Sequence, residues 1–194
     1  MSTTDPIRTS DEVREIIEYF ISRGEWRNAM LISLGLHTAI RISDILSLRW
    51  GDLYDFEKGV YKNHISVTEK KTNKKKRIAL NEEMRKMLTI YKDNIRYDIN
   101  ASTYLIKSTR GKGRPISRQQ AYRIIKEASQ NIGIPGNISC HSLRKTFGYF
   151  AWKQGASPAI LMEIYNHSSY KITRSYLCIN QDDKDKIYKE IIFY

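Results

Sequence analysis

Ser139-Cys140-His141-Ser142-Leu143-Arg144-Lys145-Thr146 is the stretch from which the fold is read. An apolar-periodic run continues from it through Phe147, Phe150 and Ala151 to Gly155, which predicts a helix starting at His141. Residues three apart share one helix face, so His141 and Arg144 point the same way. They do so at a helix N-terminus, where free backbone N–H groups and the dipole favour an anion. Alone, the pair is more simply an exposed His and Arg on an amphipathic helix. Its company elsewhere in the chain decides.

The 194 residues, 41% of them hydrophobic, suit one ordinary domain, 1–194, with at most a short appendage. No apolar run reaches the roughly eighteen residues of a membrane span, and Met1-Ser2-Thr3-Thr4-Asp5-Pro6 carries no signal core. A cytoplasmic protein without membrane contact is expected. Cys140 and Cys178 are the only cysteines, too few for a disulfide framework.

The net charge of +12 is unevenly placed. Residues 70–77 carry six basic side chains (Lys70, Lys71, Lys74, Lys75, Lys76, Arg77) and no acid. Residues 107–118 carry five (Lys107, Arg110, Lys112, Arg114, Arg118), again without an acid. The remaining 22 basic residues nearly balance the 21 acids, so the excess sits in two loop-like segments. Such loops suit a polyanion, most simply nucleic acid, and predict strongly salt-dependent binding. A solubilising lysine-rich hairpin tip is the plainer alternative.

Taken in order, Thr9 and Glu12 form a capping box for a helix whose apolar face is Val13, Ile16, Ile17, Phe20 and Ile21, ending at Gly24. Residues 26–37 read as a buried helix. In Ala39-Ile40-Arg41-Ile42-Ser43-Asp44, Ser43 is placed to cap a short helix, and Arg41 needs an anionic partner: Asp44 or a phosphate. Val60 to Val67 and Arg77 to Leu80 read as a β-hairpin with a basic tip at Thr72-Asn73. Asn81 caps a helix running to about Tyr97, and Thr103 to Ile106 is a brief extended piece. Ser117 caps a helix ending near Gly133, and Ser157-Pro158 starts another. Residues 182–194 form a last amphipathic helix with Ile187, Ile191, Ile192 and Phe193. The fold class is α+β, mainly helical, with a small β-hairpin.

Four separated pieces line up: Arg41; a hairpin lysine; His141 with Arg144; and His167 followed nine residues later by Tyr176. In order and spacing they resemble the tyrosine recombinase (phage-type integrase) family over residues 8–180. The resemblance implies the catalytic domain of that family, with its DNA breaking-rejoining fold. Arg41 and Arg144 would hold the non-bridging phosphate oxygens. His141 and His167 would donate hydrogen bonds or move protons. Tyr176 would be the nucleophile, forming a 3′-phosphotyrosine. Lys71 best matches the lysine that protonates the leaving 5′ oxygen, with Lys70 and Lys74 as rivals. Asp44 matches the acidic position that orients the site. No cofactor or metal is implied. The partner is double-stranded DNA, with a homotetramer on paired sites and DNA-bending accessory proteins.

Two departures stand out. The family usually has Gly before the second histidine; here it is Asn166, the next-best residue for a left-handed turn. Typical relatives also carry an N-terminal core-binding domain, whereas the catalytic portion here begins almost at Met1. In this it is similar to the short fimbrial invertases; a truncated remnant is the alternative. The C-terminal segment would dock on a neighbouring protomer, or on its own domain. Competing readings are a type IB topoisomerase-like relaxing enzyme, a non-catalytic DNA-binding regulator, and a zinc module of Cys140, His141, His167 and Cys178. The last lacks any Cys-x-x-Cys pair. Tyr170 is the runner-up nucleophile, too near His167 for the pattern, and His37 and His64 match no position.

Overall fold

A computed structural model describes residues 4–70, 73–110 and 113–193. Lys71 and Lys112, two expected site residues, lie outside the described residues. Helix α1 (Ser10–Ile21) starts at the Thr9–Glu12 capping box, with the Glu12 N–H on Thr9 Oγ1 and the Thr9 N–H on Glu12 Oε2. Its buried face, Ile16 and Phe20, packs on α2 (Trp26–Thr38). Helix α2 is buried from Asn28 to Leu36 and touches α1, α5 (Glu82–Asn94) and α7 (Cys140–Lys153), so it is apolar almost all round.

Helix α2 ends at Ala39, whose φ of +53° is left-handed. That turn leaves Arg41 extended, and α3 (Ile42–Ile45) begins directly after it. Arg41 is therefore the N-cap, and Ser43 lies inside the helix rather than capping it. A second short helix, α4 (Trp50–Leu53), leads into a ribbon of β1 (Tyr54–Asp55) and β2 (Val60–Tyr61). This divides the strand expected over Val60 to Val67, because Val60 pairs back on Asp55 around Gly59 at φ +68°. The main hairpin is β3 (His64–Thr68) against β4 (Lys75–Ala79), antiparallel, with Val67 opposite Lys76.

Asn81 caps α5 on the Met84 N–H, and the helix stops at Asn94 because Ile95 is extended, short of the expected Tyr97. Ser117 caps α6 (Arg118–Asn131). Helix α7 begins at Cys140, one residue before the expected start, with Ser142 Oγ accepting the Ser139 N–H at 3.0 Å. Helices α8 (Pro158–Tyr165), α9 (Tyr170–Leu177) and α10 (Gln181–Glu190) complete the chain.

Two apolar clusters result. The larger joins α1, α2, α5, α6, the hairpin and the inner face of α7. The smaller comprises Ala39, Leu161, Tyr165 and Leu177, with Phe147, Trp152 and Tyr176 packed against it. The site sits where they meet. Among the described residues no helix is long and apolar enough to cross a membrane.

Candidate functional site

Arg144 is the hub. Its backbone lies in the second turn of α7, and its side chain is only 2% exposed. The guanidinium donates to two backbone carbonyls, Ala39 O and, at 2.9 Å, Tyr165 O. It lies 4.6 Å over the Tyr165 ring and 5.8 Å from the Tyr176 ring. Among the described residues it has no carboxylate within ion-pair distance, and its buried Nε–H has no hydrogen-bond partner. An unpaired buried cation is costly, and burial followed by the neighbouring Arg41 pushes its pKa down. An anion would relieve both the charge and the orphan N–H.

Arg41, His141 and Arg144 line one small cavity of about 60 Å³, together with Arg118, Cys140 and Ser43. Arg41 enters from the turn before α3, His141 and Arg144 from the first two turns of α7. The helical spacing thus puts the last two on a common wall, as their sequence separation implied. His141 is open to solvent on its other side. Desolvation at the wall, then Arg144, Lys145, Arg41 and Arg118, hold its imidazole below the ordinary range.

On the other flank of Arg144, Tyr165, His167 and Tyr176 form an aromatic group. Tyr165 stacks on His167 at 5.1 Å, His167 meets Tyr176 at 4.7 Å, and Tyr165 meets Tyr176 at 5.2 Å. Tyr165 is fully buried, and its hydroxyl donates to Arg144 O at 2.7 Å. Asn166 reverses the chain after α8 at φ +57°, the left-handed turn expected for it, and so presents His167. The buried Thr173 of α9 bonds His167 Nδ1 through Oγ1 at 3.0 Å, which fixes the ring and leaves Nε2 as its other polar atom. Burial, then Arg144, Arg41 and Lys76, lower the His167 pKa to about 4, so this ring is neutral at pH 7.

The hairpin supplies the surprise. Glu69, just past the end of β3, is 0% exposed. Its Oε2 is 2.8 Å from Arg41 Nη1 and its Oε1 is 2.8 Å from Lys76 Nζ. The carboxylate on Arg41 is therefore Glu69, not Asp44 as the sequence suggested. Asp44 is also buried, but its Oδ1 accepts the Lys70 N–H at 3.2 Å and so braces the hairpin backbone. Lys76 is half-buried, donates to Ile164 O as well, and has its pKa lowered chiefly by burial. Its ammonium is thus directed at Glu69 and the end of α8. Lys74 donates to Asn166 Oδ1 at 2.8 Å. The other basic positions, Lys70, Lys75, Arg77, Arg110, Arg114 and Arg118, are exposed.

The remaining candidates lie elsewhere. His37 bonds Ser33 O and Glu83, and His64 bonds Arg77. Tyr170 is exposed at the start of α9 and takes no part in the aromatic group. Cys178 Sγ donates to Ser175 O on α9, while Cys140 is at the cavity, its thiol pushed up to about 11 by burial. Among the described residues no group of three or more His, Cys, Asp or Glu side chains is placed to hold a metal.

Sequence reasoning missed Glu69, Tyr165 and Thr173. A signal existed for Glu69: it is the only acid between Glu57 and Glu82, and it continues the inward alternation of Ile65 and Val67.

Comparison with known proteins matches residues 8–182 to the phage integrase family. A relative named "Probable integrase/recombinase YoeC", of Bacillus subtilis (strain 168), is 37% identical over 97% of this chain and 97% of its own length. Among solved structures, XerA recombinase superposes with a TM-score of 0.77 at 23% identity, covering 97% of this chain and 64% of that one. A lambda integrase dimer bound to a COC′ core site superposes with a TM-score of 0.69 at 21% identity, covering all (100%) of this chain and 65% of that one. The chain thus spans just under two thirds of these two structural neighbours, which share its fold.

Proposed function

The chain belongs to the phage integrase family, and from that premise we propose that it is a site-specific recombinase that breaks and rejoins double-stranded DNA through a 3′-phosphotyrosine. The observation that carries the reading is the shared hub: Arg144 lines one cavity with Arg41 and His141, and lies against the rings of Tyr165 and Tyr176 beside His167.

The chemistry follows from the groups. The Tyr176 hydroxyl oxygen attacks phosphorus as its proton passes to the neutral His167 imidazole beside it or to water, and the bond from phosphorus to the 5′ oxygen breaks. Charge on the two non-bridging oxygens rises on the way, and Arg41 and Arg144 meet it with fixed N–H donors. The orphan Nε–H of Arg144 is a donor awaiting such an oxygen. Neutral His167 donates or accepts one hydrogen bond through Nε2, and His141 does the same from the cavity wall. A hairpin lysine, Lys71 by its position in the sequence, returns a proton to the departing 5′ oxygen. The phosphotyrosyl bond conserves the energy of the broken linkage, so a 5′ hydroxyl of the same or another strand restores DNA by the reverse attack.

Lys70, Lys75, Arg77, Arg110, Arg114 and Arg118, all exposed on the hairpin, the 107–118 loop and the start of α6, supply backbone contacts to the duplex. Strand exchange needs more than one protomer. The last helix stops at Glu190, where Ile191 turns extended, short of the expected 194. Ile187 on α10 and Ile191, Ile192 and Phe193 just past it, at least half exposed, suit docking on a neighbour in a tetramer on paired sites, while Asp183 anchors the start of α10 at home on Tyr149 and Arg8. DNA-bending accessory proteins would assist, and the setting would be the cytoplasm.

The test is trapping on nicked duplex DNA from the surrounding genome. Wild type should yield a denaturation-resistant protein–DNA adduct. Tyr176→Phe should yield none, yet bind the same DNA with nearly unchanged affinity. An adduct persisting in that variant would refute the assignment.

A further inference from the structure

We propose that Glu69 is a positioning residue for this reaction: one buried carboxylate that fixes the Arg41 guanidinium and locks the basic hairpin and the His167 turn to it. The inference rests on the function proposed above. Its basis is the set of groups converging on Glu69. Arg41 comes from the turn before α3, with Nη1 at 2.8 Å. Lys76 comes from β4, with Nζ at 2.8 Å. Asn166, the residue before His167, donates Nδ2 at 3.3 Å. The backbone of Glu69 also closes the hairpin end, its N–H on Lys74 O at 2.9 Å and its carbonyl accepting from Asn73 at 2.8 Å. Lys74 completes the loop by donating to Asn166 Oδ1.

The geometry has a purpose beyond neutralising charge. An arginine fork carries five N–H donors, and Glu69 meets Arg41 at Nη1 as a 2.8 Å ion pair rather than an aligned hydrogen bond. The guanidinium is thereby held in place by charge, and its buried Nη1 keeps a donor that no hydrogen bond uses. Arg144 is fixed differently, by two carbonyls that add no negative charge. Of the two arginines, only Arg41 depends on a carboxylate among the described residues. Preorganised donors of this kind cost no rearrangement at the moment of reaction. Because the same carboxylate grips the hairpin and the His167 turn, the three segments move together or not at all.

The test uses the full chain as wild type, Glu69→Gln, Glu69→Asp, Arg41→Lys and the double variant Arg41→Lys/Glu69→Gln. Glutamine keeps the shape of the side chain but removes the charge and turns one oxygen into a donor facing other donors. Adduct formation on saturating nicked duplex should slow at least tenfold in Glu69→Gln, with DNA affinity within twofold of wild type. Glu69→Asp should recover part of the rate. On the Arg41→Lys background, Glu69→Gln should cost less than a further twofold, because the two act through one interaction. A DNA-free measurement stands beside these: the Arg41 Nε–H resonance in ¹⁵N NMR should be sharp in wild type and broadened or lost in Glu69→Gln.

Wild-type adduct rates in Glu69→Gln, or an undiminished tenfold loss on the Arg41→Lys background, would overturn the proposal. So would an Arg41 resonance untouched by the substitution. Tighter DNA binding without slower capture would make Glu69 a mere stand-in for the phosphate and would also overturn it. If wild type forms no adduct, the proposed function fails, and the NMR comparison still decides whether Glu69 holds Arg41.

Discussion

Replacing Gly148 with alanine should injure this protein, although the same change in an exposed helix interior stabilises by about 1 kcal/mol. Gly148 lies in α7 with the buried Tyr165 ring against it. A methyl there would overlap Tyr165 Oη and stand 3.0 Å from both Cε2 and Cζ. Overpacking of a fixed core site costs about 1–3 kcal/mol, so the net loss is roughly 0–2 kcal/mol. For a chain of this size that lowers Tm by about 2–4 °C per kcal/mol. Activity should suffer more than stability. Tyr165 is the plate on which Arg144 lies at 4.6 Å and against which His167 stacks. Displacing reacting groups by about 1 Å costs on the order of 100-fold in rate. The assay is thermal unfolding alongside adduct formation on nicked duplex. Tyr165→Phe removes the clashing hydroxyl, at about 1 kcal/mol for its bond to Arg144 O. The double variant Gly148→Ala/Tyr165→Phe should therefore lose clearly less than the two single losses combined. A Gly148→Ala protein that melts higher than wild type and captures DNA normally would refute the reasoning, as would strict additivity.

Two further outcomes follow from the turn and the imidazoles. Asn166→Gly should cost about 1–2 kcal/mol by urea denaturation, for the side-chain bonds to Glu69 and Lys74 alone, because glycine adopts the left-handed turn freely, whereas Asn166→Val should lose about 1–2 kcal/mol more; equal behaviour of the two would contradict the turn. His167 has its folded pKa lowered to about 4, so between pH 6.5 and 4 the unfolded chain binds a proton that the folded one does not. Its contribution is then fully present above pH 6.5 and lost as pH falls to about 4, roughly 1–2 kcal/mol after discounting for solvent screening. His167→Asn should remove that part of the acid sensitivity, and a variant as acid-sensitive as wild type would contradict it.

Much of the fold was legible because its signals are local. The Thr9–Glu12 box, the Ser117 and Asn81 caps, and Ser157-Pro158 each satisfy backbone donors within one turn, and the structure starts helices at all of them. Asn166 was readable for the same reason, since few residues other than glycine accept its φ. The spacing of His141 and Arg144 correctly placed both on one wall of a cavity. Errors arose where tertiary context decides. Ser43 has the chemistry of a cap, but the left-handed Ala39 sets the chain direction two residues earlier and moves the helix start to Ile42. The pairing of Val60 with Asp55 is chosen by the Gly59 turn, not by the apolar alternation that made Val60 to Val67 look like one strand.

The partner of Arg41 was misjudged for a related reason. Proximity in sequence favoured Asp44, whereas the hairpin brings Glu69 across from 28 positions away. The alternation Ile65, Val67 on one strand, continued by Glu69 just past its end, and Lys76, Ile78 on the other places both charged residues on the inner face. Charge composition hid this. A run of lysines reads as a solvated surface, yet one of them, Lys76, is tied to the buried Glu69. Tyr165 carried no such mark; among thirteen tyrosines only packing against Gly148 and Arg144 distinguishes it.

The most direct measurement is to locate the covalent bond. Nicked duplex trapped on the wild-type protein would be digested with protease and nuclease, and the nucleotide-bearing peptide sequenced by mass spectrometry. The account predicts a 3′-phosphate ester on Tyr176 and on no other residue. A nucleotide found on Tyr170 or any other side chain, or attached through its 5′ end, would contradict it.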